Sequence, residues 1–273
     1  MTWLLRLQGG SLRPLRVNSM NIAVCIPWSS PFIWTRFTEA SLNVKAPPGV
    51  NLQWVFGRGW SPARRHTDAI EKALNMGAEL ICIFGADQVP PPDLIERLYA
   101  RFVEGYHVIS ALVPARGYFE HNINTKPFQP LAWRWKSTPL NENGKPVFRQ
   151  YRNQELDGDM IEVIKADGTV QPIHIIGSGC IMFHKDHILS LQRPWFTETF
   201  DPLTYRRQAT MDTHFSWRLI NEAGATLWCD TGIKIGHLTD MLIDDTFQDR
   251  FDDFMDKSKP TSESAIVERK CPV

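Results

Sequence analysis

"AELICIFGADQVPPPDLIERLYARFVEGYHVISAL", residues 78–112, decides the fold. It starts with a nearly continuous apolar run, Leu80 to Phe84, short and rich in isoleucine, which reads as a strand buried on both faces. Gly85 to Gln88 and three prolines end that run. Leu94, Ile95, Leu98 and Phe102 then recur at helical spacing, and the stretch from Tyr106 supplies another apolar strand. A strand, a helix and a second strand of this kind form a crossover unit, the building block of parallel sheets.

The pattern extends in both directions. "NIAVCIPW", Asn21 to Trp28, is a β-branched run stopped by proline, and "NLQWVFGRGW" from Asn51 is a second strand ending in glycines. In "SPARRHTDAIEKALNMG", Ser61 suits a helix N-cap, Pro62 the first helical position and Gly77 the stop, with Ala69, Ile70, Ala73 and Leu74 as the apolar stripe. Downstream, "VQPIHIIGSGCIMFHKDHILSL" reads as a strand broken by Gly177 and Gly179, then a strand, then a helix. "DTHFSWRLINEAGATLWCD" is a helix ended by Gly224 and followed by a strand, and "TGIKIGHL" closes the ordered core. The fold class expected is α/β: a Rossmann-like, mainly parallel sheet flanked by helices, with a small antiparallel portion.

Residues 21–243 are read as a single domain. Within it, 117–171 is an irregular insertion rich in Asn, Pro, Lys, Trp and Gly, open to three readings: irregular strands, a segment covering the substrate, or a mobile loop. Residues 1–20 are read as a disordered extension, since the first credible strand starts after Met20, and 244–273 as a charged peripheral tail.

Composition narrows the function classes. Thirty basic and thirty acidic residues among 273 leave a formal net charge of zero, so no general nucleic-acid or membrane footprint is written in the charge. No apolar run approaches the roughly 20 residues of a membrane span, and Trp3-Leu4-Leu5 is too short for a signal-peptide core. The five cysteines stand singly, four of them in apolar runs, which points to a reducing, cytoplasmic setting and away from zinc.

Four features carry chemistry, and each has a plainer reading beside it. Asp87, at a strand's carboxyl end where open α/β sheets bind ligands, is either a turn residue capping the next helix or a hard oxygen ligand for Mg²⁺ or Mn²⁺. His237 is a structural histidine or a metal ligand. Asp212, at a helix start, is an N-cap or a general base towards an acceptor hydroxyl. Gly177, Ser178 and Gly179 form a bulge or let backbone approach a sugar closely. Ten tryptophans, including Trp133, Trp135 and Trp195, suit either core packing or stacking on sugar rings and bases.

The order of these features resembles the GT-A glycosyltransferases, in particular the family 2-like enzymes of the nucleotide-diphospho-sugar transferase superfamily. Matching stretches are "AVCIPWS", "PARRHTDAIEKAL", "ICIFGADQVPPPDLIERL", "GSGCIMFHKDHILSLQRPWF" and "MDTHFSWRLINEAGATLWCDTGIKIGHL". The resemblance implies a metal-dependent transfer of sugar from a UDP- or GDP-linked donor to an acceptor hydroxyl, with Mn²⁺ or Mg²⁺ as cofactor. It implies Asp87 and His237 as metal ligands and Asp212 as the catalytic base. Pro27, Trp28, Arg65, Gly85, Ala86 and Gln88 would face the nucleotide sugar, and Gly177, Ser178, Gly179 and Trp195 the sugar or acceptor. One departure stands out: Gly85 occupies the place of the first acid in the family's Asp-x-Asp motif.

Two alternatives are weighed. A catalytically silent sugar- or nucleotide-binding module could share the fold. A nucleotidyltransferase would normally carry a glycine-rich phosphate loop with a basic residue after the first strand, which "CIPWSSPFIW" lacks. The acceptor stays open between saccharide, lipid, protein and modified nucleic acid, as do the anomeric stereochemistry and the oligomeric state.

Overall fold

A seven-stranded sheet in the order β2-β1-β3-β10-β5-β13-β8 forms the centre of the molecule. The computed structural model describes residues 20–28, 34–114, 130–135, 161–200, 202–203, 205, 207–238 and 242–243. In chain order the elements are β1 (Met20–Pro27), α1 (Thr35–Leu42), β2 (Val50–Gly57), α2 (Pro62–Asn75), β3 (Leu80–Phe84), β4 (Gln88–Val89), α3 (Leu94–Val103) and β5 (Val108–Leu112). There follow β6 (Ala132–Trp135), β7 (Ile161–Val163), β8 (Val170–Ile173), β9 (Ile175–Ile176), β10 (Cys180–His184) and α4 (Lys185–Leu189). The described chain ends with β11 (Thr199–Phe200), β12 (Arg207–Ala209), α5 (Met211–Asn221), β13 (Leu227–Lys234), β14 (Gly236–Leu238) and β15 (Leu242–Ile243).

Pairing directions show that β2, β1, β3, β5 and β13 run one way, while β10 and β8 run the other. The sheet is therefore mainly parallel, as the apolar runs predict, with an internal exception. β3 and β5 are not neighbours, because β10 lies between them antiparallel to both. Its composition suits a central place, since Cys180, Ile181, Met182 and Phe183 are all buried and its side chains are covered on both faces.

Alternate residues of each strand feed two apolar clusters. Ala23 and Cys25 of β1 with Ile81 and Ile83 of β3 join Ile70 of α2 and Phe215 and Leu219 of α5. Ile22, Val24 and Ile26 with Leu80, Cys82 and Phe84 join Phe37 of α1 and Leu94, Ile95 and Leu98 of α3. This is a three-layer arrangement, with the period of two in the strands handing residues to both helical layers.

Local chemistry fixes the helix ends. Ser61 caps α2, its Oγ accepting from Arg64 N at 3.2 Å, with Pro62 at the start and Gly77 beyond the end at φ +77°. α1 is an element the sequence reading lacks: Trp34 precedes it without a side-chain cap, and Phe37 is its single buried residue. The described parts of 117–171 hold the short strands β6 and β7, the first residues of β8 (Val170 and Gln171) and loop residues beside them. The extension (apart from Met20), the tail and Cys271 lie outside the described residues, as does the rest of that insertion. No described helix is long and apolar enough to cross a membrane.

Candidate functional site

A cleft of about 420 Å³ opens at the carboxyl ends of β1 and β3. That volume falls within the roughly 300–1,000 Å³ of small-molecule sites, and the position is where open α/β sheets hold ligands. Its described lining comes from many elements: Pro27 and Trp28 at the end of β1, Trp34 before α1, His66 near the start of α2, and the turn Gly85 to Gln88 after β3. Leu131, Gly177 to Gly179 ahead of β10, Asp212 in the first turn of α5, and His237 of β14 complete it.

Asp87 does not cap α3, whose N-cap position is Asp93. A two-residue clip holds it instead: β4 pairs antiparallel with β14, His237 opposite Gln88, and Leu238 N donates to Asp87 O at 2.6 Å. Across this clip Asp87 Oδ2 lies 3.5 Å from His237 Nε2. His237 Nδ1 is 2.8 Å from the Pro114 carbonyl, an oxygen that only accepts, so Nδ1 carries the hydrogen and Nε2 of the neutral ring keeps its lone pair. A carboxylate beside an imidazole whose other nitrogen is fixed by a carbonyl fits one face of a divalent cation. Water and phosphate oxygens would complete the shell of Mg²⁺ or Mn²⁺. Among the described residues no set of three or more His, Cys, Asp or Glu gathers into a metal cage.

Asp212 is likewise not the cap of its helix. Thr210 takes that role, accepting from Thr213 N at 3.4 Å. Asp212 sits one residue inside α5, half-buried, its Oδ2 accepting from Ser178 N at 3.3 Å. The helix start favours an acidic residue there, and the bond to Ser178 fixes the carboxylate against the glycine-flanked turn.

The glycines turn out to make room for a side chain. A Cβ on Gly179 would stand 2.1 Å from Gln88 Nε2, and one on Gly85 would stand 3.0 Å from the Cδ and Nε2 of Gln88 and from Asp87 Oδ1. Gly177 similarly faces Leu131 at 3.2 Å. The Gln88 amide therefore lies in the space that a side chain at position 85 would claim, which gives Gly85 a steric reason.

Trp28 borders the cleft with its ring edge-on to Phe56, centroids 5.8 Å apart. Two predicted residues stay out of the lining. Arg65 is half-buried on the same helical turn, but the residue α2 gives to the cleft is His66. Trp195 is 2% exposed, packed in the core beneath the Arg193 guanidinium, 4.4 Å from its ring centre. The sequence reading also passes over Trp34 and Leu131. His66 had a signal: it lies one turn before Ala69, Ile70 and Ala73, on the same buried stripe, at the end of α2 nearest the strand termini.

His66 is 5% exposed. Its Nδ1 lies 2.8 Å from the Pro62 carbonyl, and burial pushes the imidazole's pKa below its usual value, with Asp212 pulling the other way. Two atoms in the cleft walls, His66 Nε2 and Gln88 Oε1, are buried without a hydrogen-bond partner. Leaving such an atom unpaired costs about 1–3 kcal/mol. None of the described lining residues is Lys or Arg.

No protein-family model matches this chain, so the family 2 likeness rests on the motifs themselves. No curated protein matches it either. Among solved structures the chain is similar to A197 from STIV, at 12% identity and a TM-score of 0.49, over 82% of this chain and 93% of that one. It is also similar to the nucleoside-diphosphate-sugar pyrophosphorylase from Vibrio cholerae RC9, at 12% identity and a TM-score of 0.31, over 76% of this chain and 71% of that one. Likenesses at this level assign no activity.

Proposed function

We propose that this chain is a metal-dependent glycosyltransferase of GT-A type, moving a sugar from a nucleotide-diphosphate donor to an acceptor hydroxyl. The observation that carries the reading is the convergence of Asp87, His237, Asp212 and the 177–179 turn, which are spread over 150 residues of sequence, in one cleft at the strand ends. The mainly parallel sheet, with five of its seven strands running one way, agrees with the α/β class that the reading needs.

Asp87 and His237 are the residues to hold Mn²⁺ or Mg²⁺, which when bound would offset the charge building on a leaving diphosphate. The described lining offers no Lys or Arg for that task. Pro27 and Trp28 form an apolar wall suited to a nucleoside. Asp212 lies in the same cleft and takes the proton of the incoming hydroxyl. Its bond from Ser178 N orients the carboxylate for that transfer.

The test is turnover of labelled UDP- and GDP-sugars with Mn²⁺, followed as hydrolysis or transfer. The expected result is metal-stimulated turnover that falls to background in Asp87→Ala and by about 10²–10⁴-fold in Asp212→Asn. Gly85 in place of an acid favours a second reading, a silent nucleotide-sugar-binding module. Tight, metal-dependent nucleotide binding with no turnover in the unaltered protein would select that one.

A further inference from the structure

Between Glu39 and Asp68 the chain carries Lys45, Arg58, Arg64 and Arg65 and no acid, although the whole protein is neutral. The fold gathers the three arginines at one rim of the cleft. Trp28 N donates to Gly57 O at 2.8 Å, so the loop from Arg58 to Trp60 starts beside a wall residue of the cleft. That loop lies against α2, where a Cβ on Gly59 would stand 2.6 Å from Arg64 Cγ, and His66, two residues further on, lines the cleft. Arg193 joins from the chain after α4: its Nη1 and Arg64 Nη2 reach the same carboxylate, Glu71, at 2.5 and 3.7 Å.

The acids at this rim do not balance it. Asp68 is held by Lys72 at 2.7 Å and accepts from Arg58 N, and Glu71 is shared by two guanidiniums. Five basic side chains, Arg58, Arg64, Arg65, Lys72 and Arg193, meet two acids, a local surplus of three positive charges. Arg58 is exposed, and Arg64 and Arg193 keep 50% and 60% of their side chains in contact with solvent. Between Arg58 and Arg64 in sequence stands Trp60, 92% exposed, which buries almost no area in the fold. A single projecting indole among guanidiniums suits one flat ring and an anionic backbone, whereas a lipid layer asks for a broad apolar face.

We propose that Arg58, Trp60, Arg64 and Arg193 form a docking surface for single-stranded nucleic acid at the rim of the cleft. Guanidinium forks pair with phosphate oxygens, and Trp60 offers its face to one unstacked base. A duplex keeps its bases stacked on one another, so it gains the charge contacts alone. The surface binds whether or not the cleft transfers sugar, and the two readings are tested apart.

Fluorescence anisotropy of the full chain with a labelled oligothymidylate of about 12 nucleotides tests this. Binding is expected at about 50 mM salt and should weaken steeply by about 200 mM. Trp60→Ala should weaken it about tenfold, and Trp60→Phe, which keeps a flat ring, should restore most of that loss. Arg58→Ala should lower the slope of log affinity against log salt by about 0.7, the share of one phosphate contact on a single strand. A duplex of the same length should bind less tightly than the strand. Both positions are exposed, and a thermal melt checks that each variant folds. Absence of binding at about 50 mM salt overturns the proposal. So does a duplex bound as tightly as the strand, or unaltered affinity in Trp60→Ala, since either leaves only a general anion patch. Binding to phosphatidylserine vesicles but not to the oligonucleotide overturns it in favour of a membrane surface.

Discussion

Gln88 shows how much of this site turns on single residues. Its amide fills the gap between Gly85 and Gly179, so Gly179→Ala forces a methyl group to within 2.1 Å of Nε2. Overpacking of that kind costs about 1–3 kcal/mol. Urea unfolding should register that loss, and adding Gln88→Ala should recover much of it, because the two residues share one space. An unrelieved double variant would show that Gly179 is needed for some other reason. His66 gives a pH signature. Burial holds its folded pKa below the ordinary 6.5, so the unfolded chain takes up a proton while the folded chain refuses it. The stability it contributes is full above pH 6.5 and is lost as pH falls below that value. His174, His187 and His214 are lowered by burial as well and act in the same direction. Melting temperature should therefore drop between pH 7.5 and 5, and His66→Gln should flatten the drop. Part of this was legible beforehand: Asp87, Gln88, Asp212 and His237 stood out by motif order, whereas the burial of His66 and the packing of Gln88 between two glycines depend on contacts that a single residue letter does not carry.

Elements were readable where their stabilising interactions are local. α2 announces itself by Ser61, Pro62, its stripe and Gly77, and the structure keeps all four. Ser61→Ala should cost about 1 kcal/mol and raise hydrogen exchange at the start of α2, the turn before His66. An unchanged exchange pattern would mean that docking of Ile70, not the cap, holds that end. Elements made by distant partners were not readable. β4 is two residues long and exists because β14 pairs with it from the far end of the sequence. β10 is as apolar as β3 and β5, and nothing in its composition says that it enters between them, reversed. α1 escaped for the opposite reason: with one buried residue and no cap, its signal is faint.

At the scale of the whole molecule, the sheet and its two apolar clusters make a single barrier to solvent. Cys25, Cys82, Cys180 and Cys229 are all buried free thiols. Burial pushes the Cys229 thiol up to about 12 and raises the Cys25 thiol too, and Cys82 is raised by its contact with Cys180 and by burial. A thiol reagent should leave these four unlabelled in the native state and reach them together at the denaturant midpoint. Labelling of one well before the others would reveal a weak seam in the sheet. The fold class was visible because strand and helix runs repeat on a local period, while the order of strands depends on long-range contacts. That same long range has a consequence for how the protein comes into being. Asp87 and His237 meet only when β14 closes onto β4. A chain still being synthesised can form β1, β3 and β10 and yet hold only the Asp87 half of this pair, so the cleft wall is complete only once residue 238 has emerged and docked.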